Sequence, residues 1–183
     1  DLIYYARKLL EEDEVFIASA DRDFLQMIDE RTKIYNLGDN KVLDLHRFRT
    51  NYSLEPQQWP LVRAISGDSS DNIKGVAGFG DKRSLEIVQL THTLEGLYDA
   101  HIYLTDRLAK ILVASMEIIY RNLDLIDLSE FPEDLIDREN LLQQIYDGLG
   151  LQMQREAFWQ VCRRHDFTTI IAENFEWGHV YGG

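Results

Sequence analysis

The chain has 183 residues, enough for one domain with a sizeable core or for one and a half. Its 45% hydrophobic and 28% charged content is that of an ordinary globular protein; no apolar run approaches the roughly 20 residues needed to span a bilayer, and no signal peptide is recognised. One cysteine, Cys162, excludes an internal disulfide and fits a reducing cytoplasm, while a net charge of −13 argues on its face against nucleic-acid binding, which wants a basic surface.

The predicted elements follow in chain order. Leu2–Glu11 has apolar residues on one helical side. Val15–Ala20 is a short apolar run ending in Asp21, the pattern of a buried parallel strand. Ligands of open α/β sheets sit beyond the carboxyl ends of such strands, where Asp21 and Asp23 fall. Phe24–Asp29 is expected to be helical, Lys33–Leu37 a second strand, and Gly38-Asp39-Asn40 a turn into Lys41–Leu43 as a hairpin. Asp44 is placed as the cap of a helix reaching Asn51, and Pro56 opens a helix that delivers Gly67 and Asp68. Beyond these lie helices over Asp81–Leu90, Leu94–Ala100 and Thr105–Tyr120. The N-L-D-L-I-D-L run at Asn122–Leu128 alternates and predicts a strand; Glu133–Gly148, Gln152–Arg164 and Thr168–Asn174 read as closing helices.

The most informative stretch is Gly67–Val88, G-D-S-S-D-N-I-K-G-V-A-G-F-G-D-K-R-S-L-E-I-V. Asp68 and Asp71 are three apart, a spacing that can share one face of a helical turn. Gly75, Gly78 and Gly80 then punctuate a turn into a helix starting near Asp81, with Lys82 and Arg83 in its first turn. Glycine lets backbone approach a ligand, and the helix start offers free N–H groups to phosphate. Carboxylate clusters suit hard cations such as Mg²⁺ and repel one another without one. Any single aspartate here is more often a cap than a ligand; four in two such contexts, beside a glycine turn, reverse that balance.

The charge is uneven in a way that fits. Leu123–Gly150 holds eight acids and one base, Arg138, whereas Pro60–Leu90 is balanced at four of each. Arg22 reads as a balance for its acidic neighbours, with a phosphate contact as the alternative. Asn72 reads as ordering its loop, and Trp59, Phe158, Trp159 and Phe79 as packing rather than base stacking. The five histidines and Cys162 have no zinc spacing.

G-D-x-x-D-N-I-x-G-V-x-G-x-G-x-K-R resembles the helix-three-turn-helix of the 5′-nuclease superfamily, which holds flap endonucleases, 5′-nuclease domains of bacterial DNA polymerases and phage RNase H-like 5′-nucleases. Phe16-Ile-Ala-Ser-Ala-Asp-Arg-Asp-Phe resembles the strand and D-x-D motif of the same family. The resemblance implies an α/β fold: a partial mixed sheet of a PIN-like nuclease domain over 1–66, a helix-three-turn-helix region over 67–128, and a helical region over 129–183. It implies two Mg²⁺ or Mn²⁺ ions held by Asp21, Asp23, Asp68 and Asp71, with Asp1 as the last acid of a preceding motif.

It further implies DNA phosphate contacts at Gly75, Val76, Gly78, Gly80, Lys82, Arg83 and Ser84, with K⁺ on the carbonyls of Val76, Gly78 and Gly80. For Ser84, close helix packing is the alternative. The substrates implied are branched or 5′-ended DNA or an RNA/DNA hybrid, in a bacterial cell or phage-infected host, with replication proteins as further partners. The family's N-terminal half, with more metal carboxylates and a basic helical arch, has no counterpart here and is expected to be missing. The rival readings are a non-catalytic DNA-binding module and an interaction domain of a replication complex.

Overall fold

The computed structural model describes residues 2–10, 14–38, 40–130 and 137–149. The chain divides into two compact units, Asp1–Asp137 and Arg138–Gly183. The predicted α/β class holds. Among the described residues, three strands, β1 (Val15–Ala18), β2 (Thr32–Asn36) and β3 (Lys41–Leu43), form a mixed sheet in that order. β1 runs parallel to β2, with Val15 opposite Thr32, and β2 runs antiparallel to β3, with Ile34 opposite Leu43.

β1 is not the fully buried strand its apolar run suggested. Ile17 is buried but Phe16 is 55% exposed, because successive strand side chains point to opposite faces and the Ile17 face meets the core. Helix α1 (Leu2–Leu9) precedes it and turns Tyr5 inward. The expected helix after β1 is a 3₁₀ segment, Arg22–Met27, capped by the Asp21 carboxylate, which accepts from the Asp23 N–H at 2.9 Å. Asp44 caps α2 (Leu45–Tyr52) as predicted, accepting from the Arg47 N–H at 2.8 Å.

Helix α3 (Trp59–Ser66) is the axis of the core. Every residue from Trp59 to Ile65 is buried, and Trp59 packs against Phe48 and Tyr52 with ring centroids 5.9 and 4.8 Å away. Each buried Ile, Leu or Val side chain here contributes about 1.5–3 kcal/mol relative to exposure. The helix stops at Gly67, whose φ of +79° suits glycine, and the chain turns into a short hairpin, β4 (Gly67–Asp68) and β5 (Ile73–Lys74).

Then come α4 (Asp81–Thr91), a 3₁₀ segment over Glu95–Ile102, α5 (Asp106–Ala114) and α6 (Met116–Ile126). Two expectations fail here. The single helix predicted over Thr105–Tyr120 breaks at Ser115, whose N–H bonds the Leu112 carbonyl at 3.0 Å. The strand predicted at Asn122–Leu128 is instead the end of α6. The buried residues Met116, Ile119, Asn122 and Ile126 recur at helical intervals, and Leu125, which made the run seem to alternate, is 65% exposed.

Helix α7 (Arg138–Leu149) is the described part of the second unit and falls within the predicted Glu133–Gly148 helix but for its last residue. The helices predicted beyond it, with Phe158 and Trp159, lie outside the described residues. No helix among the described residues is long and apolar enough to cross a membrane.

Candidate functional site

The end of β1 and the β4–β5 hairpin come together. Carboxylate oxygens of Asp23, Asp68 and Asp71 all lie within 4.8 Å of one another. Asp23 is in the first turn of the 3₁₀ segment, Asp68 ends β4 and Asp71 is in the hairpin turn. Asp68 and Asp71 do not share a helical face as their spacing suggested. The tight turn, with Asn72 at φ 57°, brings them to one side. Ser70 fixes Asp68 by donating to its Oδ1 from the backbone N–H at 2.8 Å and also from its hydroxyl. Asp21 lines, with Asp68 and Asp71, a cavity of about 770 Å³ but lies outside the three-acid group, its carboxylate serving as the helix cap. Asp1 is outside the described residues.

Sequence reasoning missed Arg63. It lies in α3 beneath the acids with its side chain 6% exposed. Its Nε donates to Asp23 Oδ1 at 3.1 Å and its Nη2 donates to Asp68 Oδ2. Burial pushes the Asp23 carboxyl up from its ordinary value; the Arg63 hydrogen bond and charge oppose this, and the charges of Asp21 and Asp71 add to the rise. A charge inside an otherwise apolar helix must find a partner, so the run W-P-L-V-R-A-I-S held a usable signal.

The donor set fits a hard divalent cation. Three oxygen ligands converge, and the charges of Asp21 and Asp71 make the ionised form of Asp23 more costly, a cost that a cation relieves. Arg63 already supplies one positive charge to Asp23 and Asp68, and exposed Asp71 is left facing the cavity.

The glycine turn sits next door. Val76 and Phe79 are buried under it, Phe79 at 2% exposure as the packing reading expected. Gly78 has φ +84°. The carbonyls of Val76 and Gly80 accept from the N–H groups of Phe79 and Ser84, each at 3.0 Å, and that of Gly78 accepts from the Arg83 guanidinium. Ser84 is fully buried with its hydroxyl on the Phe79 carbonyl at 3.3 Å, the packing alternative rather than a phosphate contact. The Lys82 side chain is 88% exposed, 3.9 Å from Glu86. Gly78, Gly80 and the first turn of α4 line a cavity of about 490 Å³.

Arg22 does not pair with its neighbours Asp21 and Asp23. It reaches Asp81 at 2.8 Å, holding the Asp81 carboxyl below its ordinary value, and lies 5.4 Å over Trp59. The Trp59 indole N–H donates to the Arg22 carbonyl at 2.8 Å, so Trp59 is core, as expected. Two amides also went unnoticed. Asn122, fully buried in α6, donates to the carbonyls of Ala64 and Lys74 at 2.8 and 2.9 Å. Gln26 donates to those of Asp23 and Ile126.

The family "5′-3′ exonuclease, C-terminal SAM fold" matches residues 54–147, just over half of the chain. A 5′-3′ exonuclease of Mycoplasmopsis pulmonis is 38% identical over 96 residues, 51% of this chain and 32% of that protein. The thermostable DNA polymerase I of Thermus filiformis is 34% identical over 162 residues, 87% of this chain and 19% of that protein. The chain thus spans about a third or less of the length of these relatives. The T5 5′-exonuclease, in a structure with bound zinc, superposes with a TM-score of 0.66 at 25% identity, covering 78% of this chain and 58% of that one. The helices and hairpin over residues 54–147 that carry Asp68, Asp71 and the glycine turn are thus those of a known lineage: the chain belongs to the 5′-3′ exonuclease family, by its C-terminal SAM-fold region.

Proposed function

We propose that this chain carries part of the metal centre and the DNA clamp of a structure-specific 5′-nuclease that hydrolyses phosphodiesters in 5′ flaps, 5′ ends or RNA primers. The convergence of Asp23, Asp68 and Asp71 within 4.8 Å, beside the glycine turn, carries this reading. Residues 1–66 serve the nuclease sheet, 67–128 the clamp and 129–183 a helical region. Asp23, Asp68 and Asp71 would hold one Mg²⁺ or Mn²⁺ ion; Asp21 and Asp1 are assigned to a second, with further acids from the part of the relatives this chain does not span. Such ions supply an activated water and stabilise the leaving oxygen in phosphodiester hydrolysis.

The chain's own residues do the rest. Arg63 and Ser70 orient Asp68, and Arg63 orients Asp23. Lys82, with the first-turn N–H groups of α4, draws a phosphate to the clamp. Such contacts carry no base information, so branch shape sets specificity. K⁺ on the carbonyls of Val76, Gly78 and Gly80 requires Arg83 to leave Gly78. The assigned setting is the cytoplasm of a bacterium or infected host, with replication proteins near; the T. filiformis polymerase relative favours that context.

The test is Mn²⁺ binding to this chain by electron paramagnetic resonance, alongside forked-DNA binding in KCl. Asp68→Asn with Asp71→Asn should abolish Mn²⁺ binding and leave DNA binding largely intact; in the longer protein it should abolish cleavage. Unchanged Mn²⁺ binding by the double variant overturns the metal assignment. One observation favours a second reading, the non-catalytic DNA-binding module: Arg63 already bonds two of the acids and offsets one of their charges. Forked-DNA binding with no Mn²⁺ bound to the wild-type chain would select it.

A further inference from the structure

A third cavity, of about 500 Å³, opens at the carboxyl ends of β1 and β2 against α2. Among the described residues its rim carries Lys41, Arg47 and Arg22, the last also paired with Asp81 at 2.8 Å, against a single acid, Asp21. Three basic residues lining one cavity is unexpected in a chain of net charge −13. Arg47 is held in place: its Nη1 donates to the Val42 carbonyl at 2.6 Å and its backbone N–H to Asp44. That leaves further guanidinium N–H groups to bond a ligand. Leu25 and Ile34 line the floor, Asn36 and Asn51 add polar groups, and the half-buried Tyr52 ring is braced by Phe48 at 4.9 Å and Trp59 at 4.8 Å.

The cavities form a series. The clamp cavity and the acidic cavity share Asp81; the acidic and the basic cavities share Asp21 and Arg22. Cations at both ends with acids between them match a polyanion anchored on either side of the atoms that react. The volume also suits one nucleotide, within the range of roughly 300–1,000 Å³ for small-ligand sites.

We propose that this basic cavity is a second phosphate station, binding one nucleotide of the substrate strand next to the acidic cluster, with its phosphate on Arg47, Lys41 and Arg22. The assignment rests on the nuclease reading and extends it. It gives the strand a binding point that shares no lining residue with the glycine clamp. Phosphate contact makes the station indifferent to base identity, while the Tyr52 ring and apolar floor favour an unpaired nucleotide over duplex.

The experiment measures binding of a fluorescent forked DNA with a single-stranded 5′ arm across KCl concentrations, in EDTA so that metal binding does not contribute. Lys41→Gln with Arg47→Gln should weaken binding about tenfold at low salt and lower the slope of log K against log salt by about 1 to 2. Lys110→Gln, an exposed cation of α5, should change neither. A photoreactive thymidine in the 5′ arm should crosslink to the peptide spanning Lys41–Tyr52 in the wild-type chain. Normal affinity and slope in the double variant, or crosslinks only elsewhere, overturn the station. Lys82→Ala keeps the two readings distinguishable: if it weakens binding while the double variant does not, the station alone fails. If neither change affects binding, the clamp fails as well.

Discussion

Arg63 donates to Asp68 in the floor of the acidic cavity, and the same guanidinium reaches Asp23 at 3.1 Å. One cation inside α3 therefore joins the 3₁₀ segment after β1 to the β4–β5 hairpin, the two pieces of backbone that carry the candidate ligands.

Removing that cation should expose the repulsion it offsets. Arg63→Met leaves half-buried Asp23 and buried Asp68 facing each other, and breaking a buried pair costs about 3–5 kcal/mol. Chemical denaturation in EDTA should show a loss of this size, and Mn²⁺ should restore more stability to the variant than it adds to the wild-type chain. A variant as stable as wild type in EDTA would mean that Arg63 does not hold the acids together.

Asn122 pins α6 to the end of α3 and to β5. Asn122→Ala orphans two carbonyl groups, at about 1–3 kcal/mol for a group left unsatisfied. The expected loss is about 2 kcal/mol or more, together with weaker Mn²⁺ binding under conditions where the variant is still fully folded, because β5 carries one side of the acidic hairpin. Circular dichroism and Mn²⁺ titration on the same sample separate the two effects.

Gly75 and Gly80 should respond in opposite ways to the same change. A Cβ on Gly75 would lie 2.2 Å from the Ser66 carbonyl oxygen, so backbone must move. A Cβ on Gly80 meets nothing within 4 Å, and its φ of −82° suits any residue. Gly75→Ala should lose at least about 2 kcal/mol in thermal unfolding, and Gly80→Ala should stay within about 0.5 kcal/mol of wild type.

Asp29 makes a pH-dependent contribution. Burial pushes its carboxyl up, but the N–H groups of Arg31 and Thr32, the Thr32 side chain and the Arg7 charge outweigh this and hold it below its ordinary 3.8. A lowered folded value means stability that is present above the ordinary value and is lost as pH falls through the folded one. Asp29→Asn should therefore cost about 1 kcal/mol at pH 7, the low end for a charged hydrogen bond because the side chain is nearly half exposed. The gap between variant and wild type should close below about pH 4. A gap of constant size from pH 7 to pH 3 would assign the effect to the hydrogen bonds alone.

Local chemistry was readable in the chain order. The cap at Asp44, the glycines of the turn before α4 and the acids around them announce themselves within a few residues, because caps and turns are made by neighbours. The α6 error came from the same source: over a few residues, Asn122 and Ile126 fit a strand period as well as a helical one. Arg63 was visible as a charge in a helix that buries everything else, but its partners were not, since Asp23 reaches it from a different element.

By itself the sequence determined the family, the mixed α/β class and the stretch that carries the acids, since each is written in consecutive residues. Only the tertiary structure decided that Asp23 joins Asp68 and Asp71 while Asp21 caps a helix, that Arg63 bonds two of the three acids from below, and that Arg22, Lys41 and Arg47 line one cavity. Charges interact over a few ångströms in space whatever their separation along the chain, so their grouping follows from how the sheet ends, α2 and α3 pack and cannot be read from spacing.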